Sequence, residues 1–322
     1  MQLDPERGYD LIGDIHGCGH ALARLLDQLG YRLQGGVWRH PRRQVIFLGD
    51  IIDRGPHIRE ALHLVHAMVD HGQAHCIMGN HEFNALGWYM PAPPGSGRDF
   101  VREHSPRFAR LLQETFQQFE HYPEEWKAFR EWFYDLPLFL ETERFRVVHA
   151  CWDSRVIARL RPLLNDGRIN PAILREAGLP GTFICQALDR LLRGTDMPLP
   201  EGMTLTSEEG FVRTFFRTKF WEENPQTYGD VVFQPDGLPE HAARLPLSPQ
   251  QKNRLFLYGP DEPLLFVGHY WRRGRPGPIR DNLACLDYSA VKNGKLVAYR
   301  LDQETRLDPI KFAWVDVQAV FR

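Results

Sequence analysis

The sequence lacks several features that would place it in a specialised class of protein. No stretch of its 322 residues has the length and hydrophobicity of a transmembrane helix, and no signal-peptide pattern stands at the N-terminus. The net charge of −2 offers no general attraction to nucleic acid or to an anionic membrane. These absences, with an ordinary hydrophobic content of 43%, predict a globular cytoplasmic protein with no membrane partner and no general nucleic-acid binding.

Cysteine is scarce and shows no metal-binding spacing. The five cysteines are Cys18, Cys76, Cys151, Cys185 and Cys285, an odd number with no close pair. This usage is typical of a reducing compartment and argues against both a disulfide framework and a zinc–thiolate site. Any metal-binding residues should therefore be sought among oxygen and imidazole groups.

Three short apolar runs near the N-terminus each end in a glycine followed by polar residues. They lead into Gly13-Asp14-Ile15-His16-Gly17, Gly49-Asp50-Ile51-Ile52-Asp53-Arg54-Gly55 and Gly79-Asn80-His81-Glu82. Amphipathic helical segments near 21–29 and 56–70 separate the runs, which gives the order strand–helix–strand–helix–strand. That order predicts a mainly parallel sheet, at whose carboxyl edge ligands usually bind. A single turn of this kind would fit a solvated turn with Asp53 capping a helix equally well.

Two later strand-like runs end on histidine. Residues 145–148 lead into His149, and residues 264–267 lead into His269. The collected strand-end groups are carboxylates, one amide and imidazoles: Asp14, His16, Asp50, Asn80, His149 and His269. Such a set suits manganese, iron or zinc, and also magnesium or nickel, so the identity of the metal stays open. Six ligands exceed one simple site, and Asp50 is placed to bridge two metals.

The neighbouring residues suit phosphoryl transfer. Two metals about 3.5–4 Å apart can clamp a phosphate and generate a bridging hydroxide that attacks phosphorus in line. His81 is placed to protonate the leaving oxygen, and Asp53 to orient and charge-stabilise His81. Arg54 offers a planar fork of donors to the phosphate, and Asn80 is assigned to phosphate binding as well as to the metal.

The three turns together resemble the motifs of the calcineurin-like metallophosphoesterase superfamily, and Asp53-Arg54-Gly55 with His81-Glu82 resembles its phosphoprotein-phosphatase branch. The resemblance implies an α/β fold, namely an αββα sandwich of two mixed sheets flanked by helices, with two divalent metal ions at one edge. One metal would be held by Asp14, His16 and Asp50, and the other by Asp50, Asn80, His149 and His269. Manganese is the first candidate for both. Trp271 stands where many relatives in the wider superfamily carry a second histidine.

The middle of the chain carries no motif of this kind. We predict a single domain over 1–322 with a lid-like, largely helical insertion from about 151 to about 263. Helices are predicted within it near 156–164, 182–192 and 207–216. Substrate selectivity is expected to reside in this insertion.

The substrate could be a phosphoprotein or a nucleotide. A phosphomonoesterase similar to bacterial Ser/Thr protein phosphatases is the first hypothesis. The second is a symmetrical dinucleoside tetraphosphate hydrolase, because Gly268-His269-Tyr270-Trp271 and the run 283–287 are similar to bacterial symmetrical diadenosine tetraphosphatases. The third is a non-catalytic interaction module, which the complete ligand set disfavours.

Overall fold

The computed structural model describes residues 3–4, 7–206, 212–233 and 238–317, and the chain divides into two units. Unit 1 comprises Met1–Leu192 and Pro263–Arg322, and unit 2 comprises Arg193–Glu262. The first part of the predicted insertion, 151–192, therefore folds with unit 1. Among the described residues, no helix combines the length and the apolar character that a bilayer crossing requires.

The described residues form the following helices and strands. The helices are α1 (Gly19–Gln28), α2 (Ile58–Asp70), α3 (Asn80–Tyr89), α4 (Pro106–Phe119), α5 (Pro123–Phe133), α6 (Ser154–Leu160), α7 (Pro171–Glu176), α8 (Phe183–Arg193), α9 (Tyr228–Val231), α10 (Glu240–Ala243) and α11 (Pro249–Arg254). The strands are β1 (Gly8–Ile12), β2 (Arg32–Gln34), β3 (Val37–Arg39), β4 (Arg43–Phe47), β5 (Ala74–Cys76), β6 (Phe139–Glu141), β7 (Phe145–Val148), β8 (Thr195–Pro198), β9 (Leu205–Thr206), β10 (Val212–Arg213), β11 (Phe215–Thr218), β12 (Leu264–Val267), β13 (Leu283–Cys285), β14 (Asp287–Tyr288), β15 (Lys295–Leu301) and β16 (Phe312–Asp316).

The first sheet of unit 1 has the order β14-β15-β1-β4-β5, with β16 also paired to β15. β1, β4 and β5 run parallel and are connected through α1 and α2, which confirms the predicted strand–helix–strand order. Parallel strands are usually covered on both faces, and this explains why β4 ends in the uninterrupted apolar run Val45-Ile46-Phe47, all of it buried. The carboxyl ends of these three strands meet at one edge of the sheet.

The second sheet of unit 1 has the order β13-β12-β7-β6, in which β13, β12 and β7 are parallel. Its side chains share one buried core with those of the first sheet. Leu11 and Ile46 come from the first sheet, and Val147 and Phe266 from the second. Because α1 and α2 also contact the first sheet, the arrangement confirms the predicted sandwich of two mixed sheets with flanking helices.

Unit 2 has its own small core and contains strands as well as short helices. β8 pairs with β11 and β9 pairs with β10, while Phe216, Tyr228 and Leu247 are buried together. The helices predicted near 156–164 and 182–192 are present as α6 and α8 in unit 1. The helix predicted over 207–216 is wrong for 212–216, which form β10 and β11, and 207–211 lie outside the described residues. Over so short a run, apolar periodicity does not separate helix from strand.

Candidate functional site

The six predicted ligands follow strands of both sheets of unit 1. Asp14 follows β1, Asp50 follows β4, and Asn80 begins α3 directly after β5, so three polar groups lie at the carboxyl edge of the parallel strands. His149 follows β7 and His269 follows β12 in the second sheet. All six side chains are buried, with at most 8% of any one residue exposed. The sandwich therefore brings together groups that are up to 255 positions apart in sequence.

Asp50 lies between two groups of potential ligands. Its Oδ2 atom is 3.6 Å from Nε2 of His16 and 3.4 Å from Nε2 of His149. The potential ligands form two sets, and within each set the ligand atoms lie within 4.8 Å of one another. One set is His16, Asp50 and His81, and the other is Asp50, His149 and His269. Asp50 belongs to both sets, as a bridging ligand would.

Around His149, three hydrogen-bond acceptor atoms lie close together. Nδ1 of His149 donates to the carbonyl oxygen of Leu48 at 2.7 Å, which directs the Nε2 atom toward the centre. That Nε2 atom lies 3.1 Å from Oδ1 of Asn80 and 3.4 Å from Oδ2 of Asp50. Only a proton or a cation can lie among three converging acceptors without leaving them to repel one another. These residues therefore fit a divalent cation bound through nitrogen and oxygen.

The charges around Asp50 create the same demand for a positive group. Burial alone would raise the pKa of the Asp50 carboxyl, but the imidazoles of His149 and His81 hold that pKa well below its usual range. Burial by itself would lower the pKa of His149. The carboxylates of Asp50 and Asp14 have the larger effect and raise this pKa to about 10. Without a metal, a proton on His149 takes the place that a cation would fill.

The first predicted metal position is built from Asp14 and His16. Nδ1 of His16 donates to the carbonyl oxygen of Ile52 at 3.0 Å. Its Nε2 atom lies 4.0 Å from Oδ2 of Asp14 and accepts a hydrogen bond from Nη1 of Arg54 at 3.1 Å. The carboxylate of Asp14 accepts from the backbone N–H of His269, at 3.1 Å to one oxygen. Arg54 must release His16 before that imidazole can bind a cation.

His81 is held between a buried carboxylate and an arginine. Nδ1 of His81 donates to Oδ2 of Asp53 at 2.5 Å, and the other oxygen of Asp53 accepts from the hydroxyl group of Thr115. Nη2 of Arg54 donates to Nε2 of His81 at 3.2 Å. Burial raises the pKa of Asp53 well above its usual range, against the opposing effects of Thr115 and Arg54. The structure thus brings together the pair predicted as general acid and its orienting carboxylate.

Arg54, predicted to bind phosphate, lies at a cationic and aromatic rim of the same site. Its guanidinium carbon is 5.1 Å from the ring centre of Trp271. The ammonium nitrogen of Lys292 is 4.5 Å from the same ring centre. Two cations therefore contact one indole, and one of them, Arg54, also contacts His16 and His81.

Glu82 has no role among the sequence predictions, although its buried side chain holds the turn that carries Asp50. Its Oε2 atom accepts from the backbone N–H of Asp50 at 2.8 Å and of Gly79 at 3.0 Å, and Oε1 accepts from that of Ile51 at 2.8 Å. Burial raises the pKa of Glu82 to about 7. The signal in the sequence is the capping-box spacing of Glu82 three residues after Gly79, before α3. Thr115 has no comparable local signal.

Five residues of the site have a backbone conformation that is uncommon outside glycine. The φ angle is +43° at His16, +50° at Asp50, +70° at Asp53, +68° at Arg54 and +63° at His269. Each such residue costs on the order of 1–3 kcal/mol and persists only where its surroundings enforce it. Their concentration at the ligand-bearing turns supports a functional reason for these turns.

Gly49 allows two of the turns to approach each other. Its φ angle is +84°, and a Cβ atom at this position would lie 2.3 Å from the backbone nitrogen of Gly79. No side chain fits in that space. The glycines that precede Asp50 and Asn80 in the sequence therefore bring the backbones of the two turns into contact.

Comparison with known protein families gives one match that spans half of the chain. The model of the calcineurin-like phosphoesterase family matches residues 9–176. That range holds every predicted site residue except His269. It ends before unit 2 begins.

Curated relatives and solved structures give weaker but consistent similarities. The asymmetrical bis(5'-nucleosyl)-tetraphosphatase PrpE of Halalkalibacterium halodurans is 46% identical over 83 residues, 26% of this chain and 33% of the relative. The protein of the same name from Oceanobacillus iheyensis is 32% identical over 142 residues, 44% of this chain and 54% of the relative. The chain thus spans between a third and about half of the length of these relatives.

A serine/threonine phosphatase from Saccharomyces cerevisiae, with similarity to human phosphatase PP5, superposes with a TM-score of 0.50 and 15% identity. The superposition covers 99% of this chain and 82% of the yeast chain. At this identity the likeness concerns the fold alone.

Proposed function

Because the chain belongs to the calcineurin-like phosphoesterase family, we propose that it hydrolyses phosphate esters or anhydrides at a two-metal centre in unit 1. The observation that carries this proposal is the position of Asp50. Its Oδ2 atom lies 3.6 Å from Nε2 of His16 on one side and 3.4 Å from Nε2 of His149 on the other. A carboxylate shared by two ligand groups is the arrangement that two-metal hydrolysis needs.

We propose the following ligands. Asp14, His16 and Asp50 hold one divalent cation, and Asp50, Asn80, His149 and His269 hold the other. When bound, two such cations supply charge stabilisation of the phosphoryl group and activation of the attacking water. Manganese is the first choice, and iron, zinc, nickel and magnesium are alternatives, because oxygen and imidazole donors suit all of them. The cytoplasmic location stays a prediction.

The remaining residues bind the phosphate and move the proton. Arg54 turns its fork from the two imidazoles to the phosphate oxygens, to which the amide nitrogen of Asn80 can also donate. The release exposes Nε2 of His81, which takes up a proton from solvent and passes it to the leaving oxygen. Asp53, buried and 2.5 Å from Nδ1 of His81, stabilises the imidazolium before that transfer.

For the substrate we place a dinucleoside tetraphosphate first. The support is that relatives 32–46% identical over their matched segments are named asymmetrical bis(5'-nucleosyl)-tetraphosphatases. Asymmetrical cleavage of diadenosine tetraphosphate leaves AMP and ATP, whereas the symmetrical reaction expected from the 268–271 and 283–287 segments leaves two ADP. The chemistry at phosphorus is the same, and only the position of the broken anhydride differs.

A phosphomonoester is the second candidate, and the His81–Asp53 pair favours it. The leaving group of an anhydride is a stable phosphate anion that needs little protonation. An alkoxide released from phosphoserine or phosphothreonine does need a proton. A buried carboxylate at 2.5 Å from the imidazole is the arrangement that delivers one.

Turnover of the manganese-reconstituted protein on three substrates tests the proposal. The panel holds diadenosine tetraphosphate, a phosphothreonine peptide and an aryl phosphate, with an Asp50→Asn protein purified in parallel as the control for contaminating phosphatases. AMP and ATP as products support the asymmetrical reaction, and two ADP support the symmetrical one. Preference for the peptide supports the phosphomonoesterase. No turnover above the control on any substrate would overturn the proposed activity and favour an interaction module.

A further inference from the structure

Asp287 is a buried carboxylate to which neither the sequence patterns nor the family match assigns a role. It begins β14, and only 2% of the residue is exposed. Its Oδ1 atom accepts from the backbone N–H of Ser289 at 2.9 Å. Its Oδ2 atom is buried and has no hydrogen-bond donor in the described part of the chain. A buried anionic oxygen without a donor needs a cation or a proton.

The topology places Asp287 in line with the end of β1. Along β15, Ala298 pairs with Ile12 of β1, and Leu296 pairs with Asp287. Between them the carbonyl oxygen of Val297 accepts from the N–H of Gly13 at 3.1 Å. β14 thus continues along the same side of β15 that β1 occupies, so Asp287 lies next to the turn that carries Asp14.

Close backbone contact confirms that these two segments touch. A Cβ atom on Gly13 would lie 2.2 Å from the carbonyl oxygen of Leu286. On its other side Asp287 is tied to the segment after His269, because its carbonyl oxygen accepts from the N–H of Arg272 at 3.0 Å. Asp287 therefore lies between the Asp14 turn and the His269 segment.

The electrostatic effects agree with this placement. Burial raises the pKa of Asp14, and the carboxylate of Asp287 is the charged group that raises it most. In turn, burial raises the pKa of Asp287, and Arg54, Asp50 and His149 are the ionisable groups that act on it. The two carboxylates share one region of the site.

We propose that Asp287 is a further anionic partner of the cation held by Asp14, His16 and Asp50, bonding through Oδ2 to the cation or to a water on it. The inference rests on the proposed two-metal function. Asp287 reaches the site from β14, a strand that none of the proposed ligands follows, and supplies a negative oxygen there.

The test is a titration of chelator-treated protein with manganese, in which the EPR signal of free Mn²⁺ measures how much manganese has bound. Asp287→Asn keeps the shape and an oxygen for the Ser289 N–H but removes the charge. Asp281→Asn is the matched control, since Asp281 is exposed and pairs with Arg306 at 3.3 Å. Wild type and control should bind two ions. In Asp287→Asn one ion should bind about 10–100-fold more weakly while the other keeps its affinity.

A second readout separates this role from a structural one. Without metal, Asp287→Asn should unfold at the same temperature as wild type or higher, because an unpaired buried charge is gone, and added Mn²⁺ should raise the unfolding temperature less. A lower unfolding temperature with both affinities intact would overturn the inference and leave Asp287 as a turn residue. If Asp287→Asn does not fold, Asp287→Ser gives the same comparison. Wild type that binds fewer than two ions would instead overturn the two-metal function itself.

Discussion

Nδ1 of His81 lies 2.5 Å from Oδ2 of Asp53, and both side chains are buried at the start of α3 and after β4. This contact keeps one proton on Nδ1 and orients the ring, so Nε2 is the atom that can take up and pass on a further proton. The contact links a residue of one strand-end turn to a residue of the next, and it gives the first prediction.

Replacement of His81 by alanine should lower turnover roughly 10²–10⁴-fold on alkyl phosphates, because a general acid contributes about that much when the leaving group is poor. The loss should be much smaller on an aryl phosphate. Asp53→Asn should show the same dependence on the leaving group, and His121→Ala, at an exposed histidine, should show none. Equal losses on aryl and alkyl substrates would contradict the assignment of His81 as the acid.

Asp50→Ala should remove both metals, because Asp50 belongs to both sets of ligand atoms. The measurement is the metal content by elemental analysis after dialysis, with turnover measured on the same samples. His149→Ala serves as the comparison and should lose one metal and keep the other. A variant at position 50 that retained two metals would show that Asp50 does not bridge them.

Glu82→Gln should weaken the turn that carries Asp50 without touching a ligand. The amide has one oxygen where the carboxylate uses two to accept from Asp50, Ile51 and Gly79. We expect a loss of roughly 2–4 kcal/mol in the free energy of unfolding, since two buried N–H groups lose their acceptor in either orientation of the amide. Metal affinity should fall about 10–100-fold, as for other groups that position ligands. Chemical denaturation and manganese titration would measure the two effects, and a variant equal to wild type in both would refute the role.

His75 should make the protein less stable in mild acid. Burial lowers the pKa of His75 from 6.5 to about 4, and its Nε2 atom has no hydrogen-bond partner in the described residues. Between pH 6.5 and about 4, His75 therefore binds a proton in the unfolded chain but not in the folded chain. The destabilisation is absent above pH 6.5, grows as the pH falls, and is complete below about 4.

The comparison for this prediction is His75→Gln. Between pH 6.5 and 4 its free energy of unfolding should fall less than that of wild type. The difference between the two decreases should be roughly 3 kcal/mol at most. Urea denaturation at a series of pH values gives the measurement. His121→Gln, at an exposed histidine, should follow wild type. Parallel curves for His75→Gln and wild type would show that His75 takes up its proton in the folded state.

Unit 2 should govern which substrate is accepted. All six proposed ligands lie in unit 1, which has its own core, whereas 193–262 has a separate one. Replacing 193–262 by a short Gly-Ser linker should leave two metals and aryl phosphatase activity in place. The ratio of activities on diadenosine tetraphosphate and the phosphothreonine peptide should change. An unchanged ratio would contradict the prediction that the insertion acts as a selective lid.

The turns that carry the ligands could be predicted because each combines a buried strand, a glycine and a polar residue within a few positions. Asp50 and His149 are far apart in the chain and follow strands of different sheets. Each nevertheless follows an apolar run, and the packing of the two sheets brings these strand ends together. The same local patterns gave β12 with the bounds that the structure shows.

What could not be predicted depends on contacts between distant segments. Thr115 and Asp53 are 62 residues apart, and no pattern within α4 marks Thr115 as the donor to a buried carboxylate. Asp287 reads as an ordinary strand residue until β14 is aligned with the end of β1 on β15. Over 212–216 a short apolar segment fitted a helix, and pairing of β10 with β9 and of β11 with β8 produced strands instead.

The left-handed turns at His16, Asp50, Asp53, Arg54 and His269 limit how this site could be moved to another protein. If only these side chains were placed at the edge of another α/β sheet, the backbone there would not have the positive φ angles that they have here. A transplanted centre would need the glycines, the Glu82 carboxylate and both sheets that hold these turns. The pair of sheets with its turns is therefore transferred as a whole, and single substitutions in another fold would not recreate it.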